Sequence, residues 1–231
     1  MQIDIWSDFA CPFCYIGKTR FEQALSQFEH KNRVVVNYKA YQLNPYAPKT
    51  MTKPAHVAFA EGHGMTPDQA KQRFQMFAQN AKTAGLTYNY DIIQMTNTFD
   101  AHRLAKFAHE KGLEDALTAR LMKAYFTDGH NLSDIDTLVK LAEEVGLDAT
   151  ESKAVLTSDK YADVVKGQID EGRQIGVQGV PFFVLNRKYG ISGAQQTEYF
   201  LQALRQIWTE ENPIQTMGKG EACHDEGECS F

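Results

Sequence analysis

Cys11 and Cys14 stand three residues apart, with Pro12 and Phe13 between them. Two thiols at this spacing can close a reversible disulfide, or they can supply half of a zinc site. A structural zinc site needs four ligands, commonly from a second knuckle of similar spacing. The remaining cysteines, Cys223 and Cys229, lie far along the chain at a different spacing, and His56, His63, His109 and His130 show no ligand pattern. Pro12 suits the first position of a helix, where its missing N–H costs nothing. Cys11 then sits at a helix N-terminus, where unpaired N–H groups and the helix dipole favour a thiolate, the nucleophilic form. Cys14, one turn on, is placed to close a disulfide with it. The expected chemistry is thiol–disulfide exchange, with Cys11 and Cys14 catalytic and no metal.

The elements that must position this pair follow from periodicity. Ile3 and Ile5 alternate with Gln2 and Asp4, the pattern of a half-buried strand. Ile16, Phe21, Ala24, Leu25 and Phe28 then recur at helical spacing. The β-branched run 33–39 reads as a second strand, which predicts a parallel, right-handed βαβ unit. A C-x-x-C beside such a unit is a thioredoxin-like signal. Asn44-Pro45, Pro48 and Pro54 mark an irregular exit, and no strand pattern is legible from there to about Gly176. Thr66-Pro67 starts a helix that carries Phe74, Phe77, Ala78 and Ala81 on one stripe and stops at Gly85. Further helices are expected over 99–110 and 113–126, after Ser133 as a cap, and over 150–156 and 158–175. Strand chemistry returns at 179–185, with a hairpin turn at 186–190, a short arm at 191–194 and a closing helix at 197–208. The fold class is therefore α/β, a thioredoxin-like fold with a large inserted α-helical subdomain. Residues 1–44 and 177–210 form the discontinuous thioredoxin-like domain, 45–176 the helical insertion, and 211–231 an acidic, Cys-containing tail expected to be mobile.

Composition narrows the function further. The 231 residues are 43% hydrophobic and include 14 phenylalanines, enough for one sizeable core with an insertion. A net charge of −5 without any basic run argues against nucleic acid as a partner. No apolar stretch reaches the length of a membrane span. The chain starts in a strand pattern rather than a basic-then-apolar leader, so the cytoplasm is the expected compartment. In reducing surroundings, four cysteines point to catalysis or metal rather than to a disulfide framework.

Two distant segments carry a family resemblance. Cys11-Pro12-Phe13-Cys14 after the first strand and Gly179-Val180-Pro181-Phe182-Phe183-Val184 opening a late one resemble the DsbA family of thioredoxin-fold oxidoreductases. The tract Asn97-Thr98-Phe99-Asp100-Ala101-His102-Arg103-Leu104 and the ending Ser192-Gly193-Ala194-Gln195 resemble its FrnE-type branch. The resemblance covers nearly the whole chain and implies that the Val180–Pro181 bond is cis and packs beside the cysteine pair, which makes Pro181 a third expected catalytic-site residue. From the residues alone, Pro181 could equally open an edge strand in trans. The backbone of Val180 would present itself to an extended substrate segment, the strand-addition mode of peptide recognition.

The chain departs from the family at Phe13, where Trp or His is usual. Phe offers the Cys11 thiolate neither charge nor hydrogen bond, and one such interaction is worth tens of millivolts, at about 1.4 kcal/mol per 30 mV. A strong oxidant of the periplasmic kind is therefore not expected. The second departure is Cys223-His224-Asp225-Glu226-Gly227-Glu228-Cys229. Some FrnE-type proteins carry an additional C-terminal cysteine pair, so Cys223 and Cys229 are read as an auxiliary redox pair; a metal site with His224, or incidental thiols, are the alternatives.

Phe13, Tyr15, Val180 and His102 are the expected substrate-contacting residues, with Phe9 also on the apolar rim. His102 could exchange protons in the pocket, or simply pack. Asp8 reads as an exposed loop acid, with a proton relay to Cys14 as the alternative. The expected enzyme is a protein disulfide oxidoreductase. It needs no cofactor beyond its own redox-active disulfide, with glutathione an optional thiol, and its partners are protein or peptide thiols and disulfides. The alternatives are a glutathione-dependent isomerase or transferase, as in 2-hydroxychromene-2-carboxylate isomerases and kappa-class glutathione transferases, and a non-catalytic chaperone or metal-binding protein. Cys14 argues against the isomerase, which typically uses a single Ser or Cys.

Overall fold

The computed structural model describes residues 1–213 and the backbone of residues 222–223 and 229–230. Strand β1 (Gln2–Ser7) lies inside the sheet, and every residue after Gln2 is buried. That departs from the half-buried strand expected from alternation, because Asp4 is taken inside by polar partners. Its carboxylate accepts from the side-chain amides of Gln2 and Asn37. Helix α1 (Pro12–Gln27) follows and crosses over to β2 (Val35–Ala40), which pairs parallel with β1. A single 3₁₀ turn over Lys31–Arg33 delays β2 by two residues relative to the run read from sequence.

The chain then builds helices before it returns to the sheet. These are α2 (Ala55–His63), α3 (Pro67–Thr83), α4 (Phe99–Glu110), α5 (Glu114–Lys123), α6 (Ile135–Glu144), α7 (Ala149–Leu156) and α8 (Ala162–Gln174). Helix α3 has the full capping box, with Thr66 Oγ1 accepting from Gln69 N and the Gln69 side chain accepting from Thr66 N. Helix α2 is a correction: the Pro-rich exit hid it, since its start at Pro54 carries no side-chain cap. Helix α5 ends at Lys123 and passes into a π-turn over Ala124–Asp128, closed by Gly129 in the left-handed region at φ 73°. Asp134, not Ser133, caps α6; the Ser133 hydroxyl donates instead to Asn97 O at 2.6 Å. The helix expected from residue 158 starts only at Ala162, because Tyr161 sits at φ 65° and breaks it. The Arg103 guanidinium, buried at 4% exposure, collects the carbonyls of Val155, Ser158 and Lys160 and holds that break in place.

Strands β3 (Phe182–Leu185) and β4 (Tyr189–Ser192) complete a four-stranded sheet of order β2-β1-β3-β4, with β3 antiparallel to both neighbours. Asn186 and Arg187, both at positive φ, make the tight turn between them. Helix α9 (Thr197–Glu211) packs on α1. One core lies between the sheet and these two helices, with Ile3, Ile5, Phe21, Phe183, Phe200 and Leu204 at its centre. A second core joins the front of α1 to the helices of the insertion and includes Cys11, Cys14 and Ile16 beside Leu104, Leu117, Leu121 and Phe126. The cysteine pair therefore sits where the sheet domain meets the helices. Near the chain end, Ala222–Cys223 pairs antiparallel with Cys229–Ser230, which sets Cys223 opposite Cys229 in register. The side chains of that pair, and His224, lie outside the described residues, as does most of the segment expected to be mobile.

Candidate active site

Strand β1 ends at Ser7, and the loop 8–11 carries the chain directly onto α1. Cys11 is the N-cap residue, in extended conformation (φ −88°, ψ 116°), with Pro12 opening the helix. Cys11 and Cys14 are both unbridged thiols, 3% and 1% exposed. The Cys11 thiol faces the backbone of Val180, with Sγ 3.4 Å from its carbonyl oxygen. The Val180–Pro181 bond is cis. Pro181 is buried against α1: a Cβ at Gly17 would meet Pro181 Cγ at 2.9 Å. Glycine at position 17 is thus what lets the loop before β3 approach the helix.

Cys14 lies beneath, enclosed by the loop that precedes it. The Asp8 N–H donates to its sulfur at 3.5 Å. Its pKa is pushed well up, first by burial and then by the bond to and charge of Cys11, while the Ser7 hydroxyl and the Asp8 N–H pull the other way. Burial therefore keeps the Cys14 thiol protonated until something takes its proton.

Asp8 is not the exposed loop acid expected from the sequence; it is 1% exposed and knots three segments together. Its Oδ1 accepts from Thr98 Oγ1 at 2.8 Å, and its Oδ2 accepts from Leu43 N at 2.8 Å. His102 Nε2 lies 3.4 Å from Asp8 Oδ1, and the imidazole is tilted against the ring of Phe9 at 4.7 Å. Both rings are buried at 4% exposure, so Phe9 is no part of an open rim and His102 sits behind the loop rather than in a substrate cleft.

Of the expected contact residues, Phe13 is 37% exposed, with its ring edge-on to Phe77 at 5.5 Å, and Val180 is half-buried beside Cys11. Tyr15 points inward and stacks with Tyr88 and Phe126 at 6.0 and 6.3 Å. The structure thus brings Cys11, Cys14, Phe13, Val180 and Pro181 together, and leaves Tyr15 and His102 on the inner side.

Residues from the insertion complete the site, and sequence reasoning missed them. Tyr88 Oη donates to Pro12 O at 2.6 Å, which ties the first turn of α1 to the loop after α3. Burial raises the Tyr88 and Tyr90 hydroxyls far above the usual phenol range, and the charge of Cys11 adds to both shifts. The two tyrosines also wall a cavity of about 570 Å³ that is shared with Met51, His56 and Phe74. The i, i+2 repeat Tyr88-Asn89-Tyr90 in a segment without helical pattern was the one available signal.

Comparison with known proteins agrees with this geometry. The probable DsbA oxidoreductase of Streptomyces coelicolor is 40% identical with a TM-score of 0.86, over 100% of this chain and 99% of that one. The uncharacterized protein YwbO of Bacillus subtilis is 29% identical over 208 residues, covering 88% of this chain and 96% of its own length. A 2-hydroxychromene-2-carboxylate isomerase shares the fold at 18% identity and a TM-score of 0.66, over 91% of this chain and 98% of the other. The DSBA-like thioredoxin domain matches residues 2–205. Since that match takes in the cysteine pair, the four-stranded sheet and the inserted helices alike, the chain belongs to the DSBA-like thioredoxin domain family.

Proposed function

We propose that the protein is a thiol–disulfide oxidoreductase acting on protein or peptide dithiols and disulfides through Cys11 and Cys14, in a reducing compartment such as the cytoplasm. The observation that carries this reading is the asymmetry of the pair. Cys11 caps α1 and faces the Val180 backbone, whereas Cys14 is sealed beneath it. In reduction, the Cys11 thiolate attacks a substrate disulfide and expels one substrate sulfur as thiolate. Cys14, deprotonated, then attacks Cys11 Sγ, so the second substrate thiolate leaves and the two electrons of the dithiol pass to the substrate. Oxidation runs the same steps backwards. Phe13 and the Val180 carbonyl are the surfaces against which an extended segment would lie.

Insulin reduction by a dithiol-coupled assay tests this. Wild type should turn over, Cys11→Ser should be inactive, and Cys14→Ser should accumulate a mixed disulfide. Turnover that survives Cys11→Ser would sink the proposal. A second reading, a glutathione-dependent isomerase, is favoured by one observation, the tyrosine-walled cavity of about 570 Å³ next to Pro12. Isomerase turnover retained in Cys14→Ser would promote it, because a single nucleophile suffices there.

A further inference from the structure

Cys14 must lose a proton each time it resolves a mixed disulfide, yet its thiol is sealed from solvent. The face opposite Cys11 holds the groups that could take it. His102 Nε2 and Thr118 Oγ1 are buried without a hydrogen-bond partner among the described residues. Both residues line a cavity of about 10 Å³ together with Ser7, Lys106 and Glu114. That is the room of about one water molecule, and a buried water needs such polar partners. Ser7 connects the cavity to the reaction: it lines the cavity, and the residue after it, Asp8, donates its N–H to the Cys14 sulfur at 3.5 Å. Glu114 connects it to the outside: one carboxylate oxygen accepts from Lys106 Nζ, and the other is 2.8 Å from Nδ1 of His109. The His109 side chain is 57% exposed, and it lines with Glu114 a cleft of about 630 Å³ that also takes in Phe21 and Ser26 of α1. Those residues lie about three to four helical turns beyond Cys11.

We propose that the cavity binds one structural water, and that Ser7, this water, His102, Glu114 and His109 form a proton relay between Cys14 and solvent on the far side of α1. The proposal rests on the exchange reading above. In the resolving step the Cys14 proton passes to the Ser7 hydroxyl, which hands its own proton through the water to His102 Nε2. The freed electron pair of Cys14 forms the bond to Cys11 Sγ while the Cys11–substrate bond breaks, and the departing thiolate takes a proton from solvent. Asp8 Oδ1 lies 3.4 Å from that Nε2, and Glu114 with His109 returns the proton to bulk water. The other charged or titratable groups facing His102 are Lys106 on its own helix and Tyr38 and Lys39 across the cavity; Tyr125 neighbours Asp8.

The two phases of reaction with 5,5′-dithiobis(2-nitrobenzoate) separate this proposal from the one beneath it. Attack by Cys11 releases the first thionitrobenzoate, and attack by Cys14 releases the second. His102→Gln and the isosteric Thr118→Val should leave the first phase as in wild type. The second phase should slow by about 100-fold at neutral pH, the lower end of what a positioned proton transfer contributes. It should converge with wild type as the pH is raised, because hydroxide then takes the proton directly, and wild type should show a solvent deuterium effect on this phase alone. Absence of a fast first phase in wild type would remove the exchange reading itself. A normal first phase, with second-phase rates in both variants within about twofold of wild type and no deuterium effect, would overturn the relay. Loss of the second phase at every pH would also overturn it, since that is the signature of lost packing.

Discussion

At the scale of single residues, the site separates two thiols that are three positions apart. Cys11 Sγ lies 3.4 Å from Val180 O at the helix start, while the Cys14 sulfur, one turn on, accepts from Asp8 N–H. Iodoacetamide added to the reduced protein should therefore label Cys11 well before Cys14, as peptide mass mapping of a short time course would read. Equal rates would contradict the assignment of Cys11 as nucleophile. The buried acids also predict how stability follows pH. Burial raises Cys14 and the hydroxyls of Tyr38, Tyr88, Tyr90 and Tyr125 above their ordinary values. An acid raised in the folded state holds its proton longer than in the unfolded chain, so the stability it confers is complete below the unfolded pKa and lost as pH rises. Unfolded thiols and phenols ionise near about 8.5 and 10. Urea midpoints of the reduced protein should thus begin to fall above about pH 8.5 through Cys14 and steepen above about pH 10 as the tyrosines join, each group costing about 1.4 kcal/mol per pH unit above its own unfolded pKa. Tyr125→Phe should flatten that fall.

At the scale of elements, two glycines set how closely helices approach the sheet. A Cβ at Gly172 of α8 would lie 2.6 Å from Trp6 Nε1, and that indole is fixed by its bond to Gln168 O at 2.8 Å. Gly17 does the same for α1 against Pro181. Gly17→Ala should cost about 1–3 kcal/mol by overpacking, and because Pro181 follows Val180, it should also slow attack by Cys11. Gly172→Ala should cost a similar amount in urea unfolding, with attack by Cys11 unchanged, as α8 packs on Trp6 and β2 rather than on the cysteines.

At the scale of the whole molecule, a charge network around one buried lysine joins sheet domain to insertion. Lys18 of α1, with 3% of its side chain exposed, pairs with Glu22 and with Asp115 of α5, and Tyr38 Oη of β2 donates to the same Asp115 at 2.8 Å. Lys18→Met leaves two carboxylates without their cation. Both acids keep contact with water, so the expected loss is about 1–3 kcal/mol rather than the larger cost of a fully buried pair. Lys53→Ala, which breaks an exposed pair with Glu61, should cost less than about 1 kcal/mol in the same titration. Equal losses would mean that the seam is held by its apolar contacts alone. Among the described residues, no helix is long and apolar enough to cross a membrane.

What the sequence determined by itself was local. Pro12 after Cys11 specified the helix start, because proline is pre-organised for that position and nowhere later in a helix. The alternation and β-branching around residues 3–5, 35–39 and 182–185 specified strands, and Thr66 with Pro67 and Gln69 specified α3. Signals fixed by backbone chemistry survive into any tertiary context, which is why these elements were legible within a few residues. Where no such signal exists, as at the uncapped start of α2 or the left-handed Tyr161, periodicity alone could not place the boundary. Burial of polar groups belonged to the tertiary structure. Asp8 and His102 look like surface residues because lone polar side chains usually are. They lie inside because Thr98, Leu43 and Phe9, brought from three separate segments, supply the hydrogen bonds and packing that make burial tolerable. The same holds for Tyr88 and Pro12, which are 76 positions apart in the chain. A contact between distant segments exists only once the sheet and the helices have packed, so the cysteine pair on its helix start could be read from four residues, while the surroundings of Cys14 could not.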